Sequence, residues 1–150
     1  LLRQDPQGLV LGEIRDDETA NLAVRAALTG HLVISTLHAG SCKGVVERLL
    51  VMCPDHFAVA SALSLIVNQR LLRKVCPDCQ GQGCERCLQT GYAGRIPVAE
   101  WVAFNDPLRT RVRASGPEVI TPQPTLAEAA LALAQAGLTN HAEYARLFGQ

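Results

Sequence analysis

The sequence lacks the features that mark several common classes of protein. No apolar run approaches the roughly 18 residues that a membrane-spanning helix needs, and no signal peptide is visible. The formal net charge is zero, and no block of like charges supplies the electrostatic footprint of a nucleic-acid-binding protein. These absences predict a cytoplasmic protein that has no transmembrane segment of its own and does not bind nucleic acid directly.

Lysine is scarce, and the lysine-containing phosphate-binding loop of many nucleotide-binding proteins is missing. The two lysines, Lys43 and Lys74, lie in the strings SCKG and RKVC, so the pattern G-x-x-x-x-G-K-[ST] does not occur. That loop cradles nucleotide phosphates with its backbone N–H groups, and its lysine reaches the terminal phosphates. The chain by itself is therefore expected to bind nucleotide poorly or not at all.

What is present is enough for a folded core. The chain has 150 residues, 48% of them hydrophobic. It begins with Leu1 instead of methionine, in a segment typical of the interior of an α/β domain, and we interpret it as the C-terminal part of a larger protein. Residues 76–94 differ from the rest because Cys, Gly and Gln replace nearly all aliphatic side chains. Such a stretch cannot bury a hydrophobic core, so it needs a cross-link such as a bound metal ion or a disulfide to hold its fold.

The start of the sequence has the pattern of a strand, a helix and a second strand. Leu9–Ile14 is a nearly continuous apolar run, typical of a parallel strand covered on both faces. After Asp16, apolar residues recur at helical spacing until Gly30 ends the helix. The run Leu32–Leu37 predicts another buried strand, so the three elements form a βαβ unit.

The following region is predicted to be mostly helical. One helix begins near Ser41, and after Pro54 the apolar spacing predicts a second helix that includes Ile66 and Val67. Gln69–Val75 either extends this helix or forms a short strand, and the sequence does not decide between them.

The end of the chain is predicted to contain a strand and two or three helices. The strand covers Arg95–Phe104. The best-defined helix has a capping box, formed by Thr125 and Glu128, and ends at Gly137.

Four of the six cysteines form two C-x2-C pairs: Cys76 with Cys79, and Cys84 with Cys87. Cytosolic thiols stay reduced, so this spacing favours a metal site over disulfides. Four thiolates complete the tetrahedral shell of one zinc ion and leave no open position, which makes the site structural. A redox dithiol is the alternative, although it needs only one pair.

The first pair also resembles a zinc-binding repeat of the Hsp40 (DnaJ-type) chaperones, because Gly81 and Gly83 follow Cys79 at alternate places. The second pair breaks that pattern, since Leu-Gln-Thr-Gly follows Cys87. The competing interpretation of the chain is therefore a non-enzymatic zinc-binding interaction module, chaperone-like or a nucleic-acid ribbon, on an α/β scaffold.

Glu13 and His38 follow the two predicted strands at their carboxyl ends, where open α/β sheets bind their ligands. A carboxylate in that position can orient or deprotonate an attacking water, and a neutral histidine can donate to a phosphate oxygen. The alternatives are a Glu13 that pairs with Arg15 or Arg3, and a His38 that only caps its strand.

Three arginines, Arg3, Arg15 and Arg70, are candidates for phosphate or inter-subunit contacts, because the guanidinium fork matches phosphate geometry. Ordinary ion pairs with nearby carboxylates such as Asp5 and Asp16 are the alternative.

Several of these strings together resemble one family, the type II secretion and type IV pilus assembly ATPases (GspE/PilB family). The string LLRQDPQGLVLGEIRDDETANLAVRAALTGHLVISTLHAGS is similar to the family's DPD-x4-GEIRD and TGHLV-x-STLHTN segments. NQRLLRKVCPDC, CERCLQTGYAGRIPVAEW and PTLAEAALALAQAGLTNHAEYARL are similar to its later segments. The resemblance covers essentially the whole chain.

The resemblance implies roles for individual residues. Asp5 belongs to the family's aspartate box, Glu13 is the catalytic Walker B carboxylate, and His38 is the histidine near the γ-phosphate. Arg15 and Asp16 match the end of the GEIRD segment. The cysteines favour an assembly or secretion motor over a retraction motor, whose family members typically lack them.

Three departures from the family pattern are also present. Gln7 replaces the second Asp of DPD, Ala39 and Gly40 replace the usual Thr-Asn, and the link between the two cysteine pairs is short. These changes leave Glu13 and His38 in place.

The predicted fold class is α/β. It comprises the C-terminal part of a RecA-like P-loop NTPase core over residues 1–75, a tetracysteine zinc-binding insert over 76–94 and a small, mainly helical subdomain over 95–150. The resemblance implies ATP with Mg²⁺ in the full-length parent, a structural Zn²⁺, a homo-hexamer, and peripheral attachment to the inner membrane through platform proteins of a secretion or pilus system.

Overall fold

The described chain begins with two parallel strands joined by a helix. The computed structural model describes residues 8–149, and its first three elements are β1 (Gly8–Leu11), α1 (Asp17–Leu28) and β2 (Leu32–Ser35). The strands pair in parallel, and their last residues, Leu11 and Ser35, lie opposite each other. The predicted βαβ unit is confirmed, although both strands end earlier than the apolar runs of the sequence suggested.

Helix α1 forms where its local sequence signals place it. The carboxylate of Asp16 accepts a hydrogen bond from the backbone N–H of Thr19 at 2.8 Å, which caps the helix N-terminus. Ala20, Ala23 and Val24 share one face and are buried in the adjacent core. The cap and the apolar stripe together fix the start and the orientation of this helix.

Two helices follow: α2 (Cys42–Met52), which is capped by Ser41, and α3 (His56–Ala62), which is capped by Asp55. The prediction that the second helix includes Ile66 and Val67 is wrong. Both residues lie in a strand, where Ile66 is buried and Val67 is exposed. This alternation has the two-residue period of a strand, and a short apolar run does not by itself distinguish that period from a helical one.

That strand, β3 (Leu65–Val75), pairs with β4 (Tyr92–Ala103) in a second sheet of two strands. The residue before β3, Ser64, accepts from the N–H of Phe104 after β4 at 2.9 Å, so the pair is antiparallel. The open choice for residues 69–75 is thereby decided in favour of a strand.

Three helices close the described chain, in agreement with the sequence: α4 (Asp106–Ser115), α5 (Leu126–Gln135) and α6 (His141–Phe148). The predicted capping box of α5 is confirmed, because Thr125 and Glu128 exchange side-chain-to-backbone hydrogen bonds. Short 3₁₀ turns occupy Glu85–Cys87 and Gly116–Val119.

The contacts divide the chain into two compact units. The first comprises the described residues up to Ile66 together with Trp101–Pro122, and its buried cores lie under the βαβ unit and around α2 and α4. The second comprises Val67–Glu100 and the described residues from Gln123 onward, with a core around Leu72. The protein is thus an α/β fold with parallel strands and helices. The division into an ATPase core, a zinc-binding insert and a helical subdomain, which was expected from the sequence, stays a prediction.

No helix within residues 8–149 is both long enough and apolar enough to cross a membrane.

Candidate functional site

The loops after β1 and β2 lie side by side because the parallel pairing continues beyond the strands. The N–H of Ile14 donates to the carbonyl of Thr36 at 2.9 Å, and the Thr36 hydroxyl donates to the carbonyl of Gly12 at 2.7 Å. These bonds bring Glu13 and His38 together, with 3.0 Å between Glu13 Oε1 and His38 Nε2. The two candidates from separate strands therefore form one site.

Glu13 is held as a carboxylate by its neighbours. The Nε–H of Arg15 donates to Glu13 Oε2 at 2.7 Å, and this hydrogen bond lowers the pKa of Glu13 below its usual 4.5. Partial burial raises that pKa, while the charges of Arg15, His38 and Arg48 lower it further. A base with a low pKa is a weak proton acceptor at neutral pH, so Glu13 is suited to orient water by accepting its hydrogen bond.

A surface cleft of about 520 Å³ adjoins this pair. It is lined by residues of the two loops and of α2, namely Arg15, His38, Ala39, Gly40, Gly44, Glu47, Arg48, Val51 and Met52. Arg48 was not singled out from the sequence. Its signal was its place on the helix face that also carries Gly44 and Val51, opposite the buried Val46 and Leu49.

The other candidates have different surroundings. Asp16 caps α1, and the N–H of Thr19 lowers the pKa of its carboxyl. Arg70 lies exposed in β3, and its side chain makes no ion pair within the described part of the chain. Arg3 and Asp5 lie outside the described residues.

The four cysteines of the two C-x2-C pairs come together in the second unit. The Sγ atoms of Cys76, Cys79, Cys84 and Cys87 all lie within 4.8 Å of one another. Individual Sγ–Sγ distances are 3.9 Å for Cys76 and Cys84, 3.8 Å for Cys79 and Cys87, and 3.7 Å for Cys84 and Cys87. Tetrahedral zinc with Zn–S bonds of about 2.3 Å requires sulfurs about 3.8 Å apart, so the arrangement fits that ion.

Backbone N–H groups point at these sulfurs. Cys87 Sγ accepts from the N–H of Cys84 at 3.2 Å and from that of Gly91 at 3.3 Å. Burial raises the pKa of Cys87, but these N–H groups and the neighbouring thiols lower it more, to about 6. Gly91 is required there, because a Cβ on it would overlap the carbonyl oxygen of Gly81. The turn therefore favours the thiolate form at Cys87. At Cys84 the backbone N–H of Cys87 lowers the pKa, but burial and the neighbouring thiols raise it more, to about 11.

A buried ion cluster in the second unit was not predicted from the sequence. Glu143 has a fully buried side chain that receives two hydrogen bonds from Arg146, at 2.7 and 2.8 Å. The backbone N–H and the Nε–H of Arg73 also donate to it, at 2.9 and 2.7 Å. The hydrogen bonds from Arg146 lower the pKa of Glu143 to about 2, with Arg73 adding to the effect against the opposing effect of burial.

Known proteins are similar to this chain along its length. The family model described as Type II/IV secretion system protein matches residues 1–146. Type II secretion system protein E of Klebsiella pneumoniae is 36% identical over an alignment that covers 100% of this chain and 36% of that protein. The type IV pilus assembly ATPase PilB of Myxococcus xanthus is 40% identical over 74% of this chain and 25% of PilB.

A solved structure is similar as well. The pilus retraction motor PilT with bound ADP superposes with a TM-score of 0.78 at 26% identity, over 99% of this chain and 41% of that chain. This chain thus spans about a third or less of the length of the two curated relatives named above. These matches confirm the resemblance to the GspE/PilB-like ATPases, and the chain belongs to the type II/IV secretion system protein family.

Proposed function

We propose that this chain is the Walker B and histidine-box part of an ATPase motor that drives (pseudo)pilus assembly or type II secretion. The observation that carries the proposal is the 3.0 Å contact between Glu13 and His38, which the parallel pairing of β1 and β2 brings to one edge of the sheet. The relatives are named for type II secretion and type IV pilus assembly, which supports the same function.

Each residue of the pair has a role that its surroundings support. Glu13 is charged at neutral pH, because Arg15 lowers its pKa, and it accepts a hydrogen bond from the attacking water and so orients it. The ring of His38 is 84% exposed, and while its Nε2 faces Glu13, the opposite ring nitrogen, Nδ1, donates to an oxygen of the terminal phosphate when the imidazole carries both protons. Their proximity places water and phosphate next to each other.

In this proposal, the remaining parts of the ATP site come from other parts of the parent protein. No Walker A pattern occurs in the 150 residues, so the phosphate-cradling loop and its lysine belong to a part of the parent outside them. Mg²⁺ is held by phosphates and one or two carboxylates, and Glu13 beside the cleft and Glu47 in its lining are the carboxylates that would hold it. Bound with ATP, the ion neutralises charge on the phosphates. The fold is then the C-terminal part of a RecA-like core.

The same proposal includes an assembly and a location. Members that share these motifs are expected to work as homo-hexamers at the cytoplasmic side of the inner membrane, attached through platform proteins. We extend this arrangement to the parent of the present chain.

Substitution of the carboxylate tests the catalytic assignment. In the parent protein that also contains the phosphate-binding loop, Glu13→Gln should lower ATP turnover by about 100-fold, because the amide does not hold Arg15 and the attacking water as the carboxylate does, and a misplaced reactant costs a rate factor of this size. Glu18→Gln is the matched control, because it removes the same charge from an exposed position of α1. Turnover close to that of the control would remove Glu13 from the mechanism.

We also propose that the four thiolates hold one structural zinc ion. The support is their mutual spacing, which is 3.7 to 3.9 Å for three of the pairs and within 4.8 Å for all, and the N–H groups directed at Cys87. Because all four ligands come from the chain, the ion has no open position for catalysis. Its contribution is to fold a segment that has almost no apolar side chains.

Elemental analysis of the purified chain tests the metal. One zinc ion per chain is expected, and Cys87→Ser should reduce that content strongly because it removes one of four ligands. Cys53→Ser is the control, since Cys53 is buried in the core of the first unit. A folded wild-type chain without metal, or with its C-x2-C thiols paired as disulfides, would contradict a zinc site and favour the redox alternative.

A further inference from the structure

Leu88 lies in the cysteine turn (residues 76–91) of the second unit, and its side chain faces solvent. It is 83% exposed, the highest value among the large apolar residues between 8 and 149. Its backbone has a left-handed conformation, with φ of 51° and ψ of 44°, which glycine adopts freely and leucine does not. A leucine that is both strained and exposed contributes little to the fold of its own chain, so its side chain indicates a contact with another molecule.

A carboxylate accompanies this apolar side chain. Leu88 follows the 3₁₀ turn Glu85–Cys87, and its N–H donates to the carbonyl of Glu85 at 3.0 Å. The side chain of Glu85 is exposed and makes no ion pair with the residues that the structure describes, whereas the neighbouring Arg86 is paired with Asp78 at 2.9 Å. Leu88 and Glu85 thus form a surface, the Leu88 patch, that combines an apolar side chain with a negative charge.

A groove of about 380 Å³, the Trp101 groove, lies in the first unit at the end of β4. Its lining includes Trp101 of β4, Leu108 of α4 and Val119 of the second 3₁₀ turn. Trp101, the one tryptophan of the sequence, is 50% exposed. A half-exposed tryptophan in a groove is a frequent anchor of protein–protein contacts, because much of its large ring becomes buried when the partner binds.

The Trp101 groove also carries a positive charge. Arg111 lines it from α4, and its exposed side chain makes neither an ion pair nor a hydrogen bond within residues 8–149. The neighbouring arginines of this helix are engaged, Arg109 with the carboxylate of Asp106 at 3.1 Å and Arg113 with the hydroxyl of Ser61 at 2.7 Å. No carboxylate is among the described residues that line the groove. The groove therefore combines an apolar lining with a cation that is available to a partner.

We propose that the Leu88 patch of one copy of this chain binds the Trp101 groove of a second copy. Leu88 packs beside Trp101, and the carboxylate of Glu85 pairs with the guanidinium of Arg111. Both surfaces are exposed in the single chain, and they match in apolar character and are opposite in charge. The contact joins two different surfaces, so each copy keeps one of them for a further copy, as in ring-shaped assemblies. It supplies one interface of the homo-oligomer in the proposed function, on which its biological role rests.

Two variants of the 150-residue chain, each defective in one surface, test this contact when they are mixed. Leu88→Asp disables the patch and Trp101→Ala disables the groove, so either variant alone should associate about 30-fold more weakly than the wild type, the scale of a hot-spot side chain. An equimolar mixture should form heterodimers, because the intact groove of one variant accepts the intact patch of the other. Sedimentation equilibrium at up to about 1 mM chain measures this, since a small interface binds weakly.

Leu22→Asp is the matched control, because it removes an exposed leucine from α1, outside both surfaces. It should associate as the wild type does, and circular dichroism checks that each variant is folded. A wild-type chain that stays monomeric would overturn the proposal. A mixture without heterodimers, or an equal loss of association in Leu22→Asp, would overturn it too.

Charge reversal tests the ion pair within the contact and does not depend on the Leu88 variant. Arg111→Glu should weaken association about fivefold, because it places two carboxylates together. Adding Glu85→Arg to Arg111→Glu should restore association, since the pair is rebuilt with the opposite polarity. A double variant that associates no better than Arg111→Glu alone would contradict the proposed contact.

The outcome is separable from that of the proposed function. If a hexameric parent keeps its mass after Leu88→Asp, this contact fails and the proposed assembly stands. If the 150-residue chain associates through the two surfaces while the parent is a monomer, the proposed hexamer fails and the contact stands.

Discussion

Glu13 and Glu143 are both carboxylates held by arginine, but their access to solvent differs. Glu13 is 20% exposed and accepts from one arginine, with His38 on its other oxygen. Glu143 is fully buried and accepts from two arginines, Arg73 and Arg146. Both oxygens of Glu143 accept from both arginines and have no capacity left for a ligand, whereas Oε1 of Glu13 contacts His38 and keeps a lone pair for a water. Glu143 therefore stabilises the fold while Glu13 remains available for chemistry.

Glu143 predicts a dependence of stability on pH. Its pKa is about 2 in the folded chain and 4.5 for the ordinary group, so its contribution is complete above about pH 4.5 and is lost as the pH falls toward 2. At neutral pH, Glu143→Gln should lower the free energy of unfolding by about 3 kcal/mol, since it breaks a buried ion cluster. Urea unfolding at a series of pH values measures both effects.

The informative quantity is the difference between wild type and variant, because acid also protonates other groups of the chain. That difference should shrink as the pH falls from 4.5 toward 2. A difference that stays constant over this range would show that Glu143 does not titrate as the structure implies.

The cysteine turn and α6 are connected through short hydrogen bonds within the second unit. The hydroxyl of Tyr92, which directly follows Gly91, donates to the side chain of Asn140 at 2.9 Å. Asn140 is the N-cap of α6 and also accepts from the N–H of Glu143 at 2.9 Å. An ordered cysteine turn therefore stabilises the first turn of α6 through Tyr92 and Asn140.

Removal of the proposed zinc ion should loosen α6 as well as the turn. With a chelator present, amide hydrogen exchange at the first turn of α6 should accelerate by about tenfold or more, because metal binding contributes folding free energy to the elements it orders. Helix α1, in the first unit, is the internal control and should keep its protection.

Tyr92→Phe distinguishes this coupling from general unfolding. The variant lacks the hydroxyl that reaches Asn140, so its α6 should exchange faster even with zinc bound. If chelation accelerates exchange equally in α1 and α6, the effect is global and the coupling is contradicted.

For the molecule as a whole, elements with strong local signals were predictable. Helix α1 has a capping aspartate and a helical apolar stripe, and α5 has a capping box, so both were predicted where they occur. The segment Leu65–Val75 has no such signal. Its strand is decided by pairing with β4, whose residues are distant in the chain, and a local pattern contains no information on that partner.

The candidate site was predictable in part for the same reason. Glu13 and His38 could be placed at the ends of two parallel strands, because the βαβ pattern fixes which ends meet. The pairing of Arg15 with Glu13 was anticipated only as an alternative to catalysis, whereas the structure contains that ion pair together with the His38 contact. Arg48 was not predicted, since its side chain approaches the loops only through the packing of α2.

The sequence by itself determined the family, the βαβ unit and the four cysteines with metal-ligand spacing, because each depends on residues close together in the chain. The tertiary structure alone decided that residues 65–75 form a strand, that Arg48 lines the cleft, and that Glu143 is buried between two arginines. Those features depend on contacts between distant segments, whose geometry is set by which surfaces are buried together.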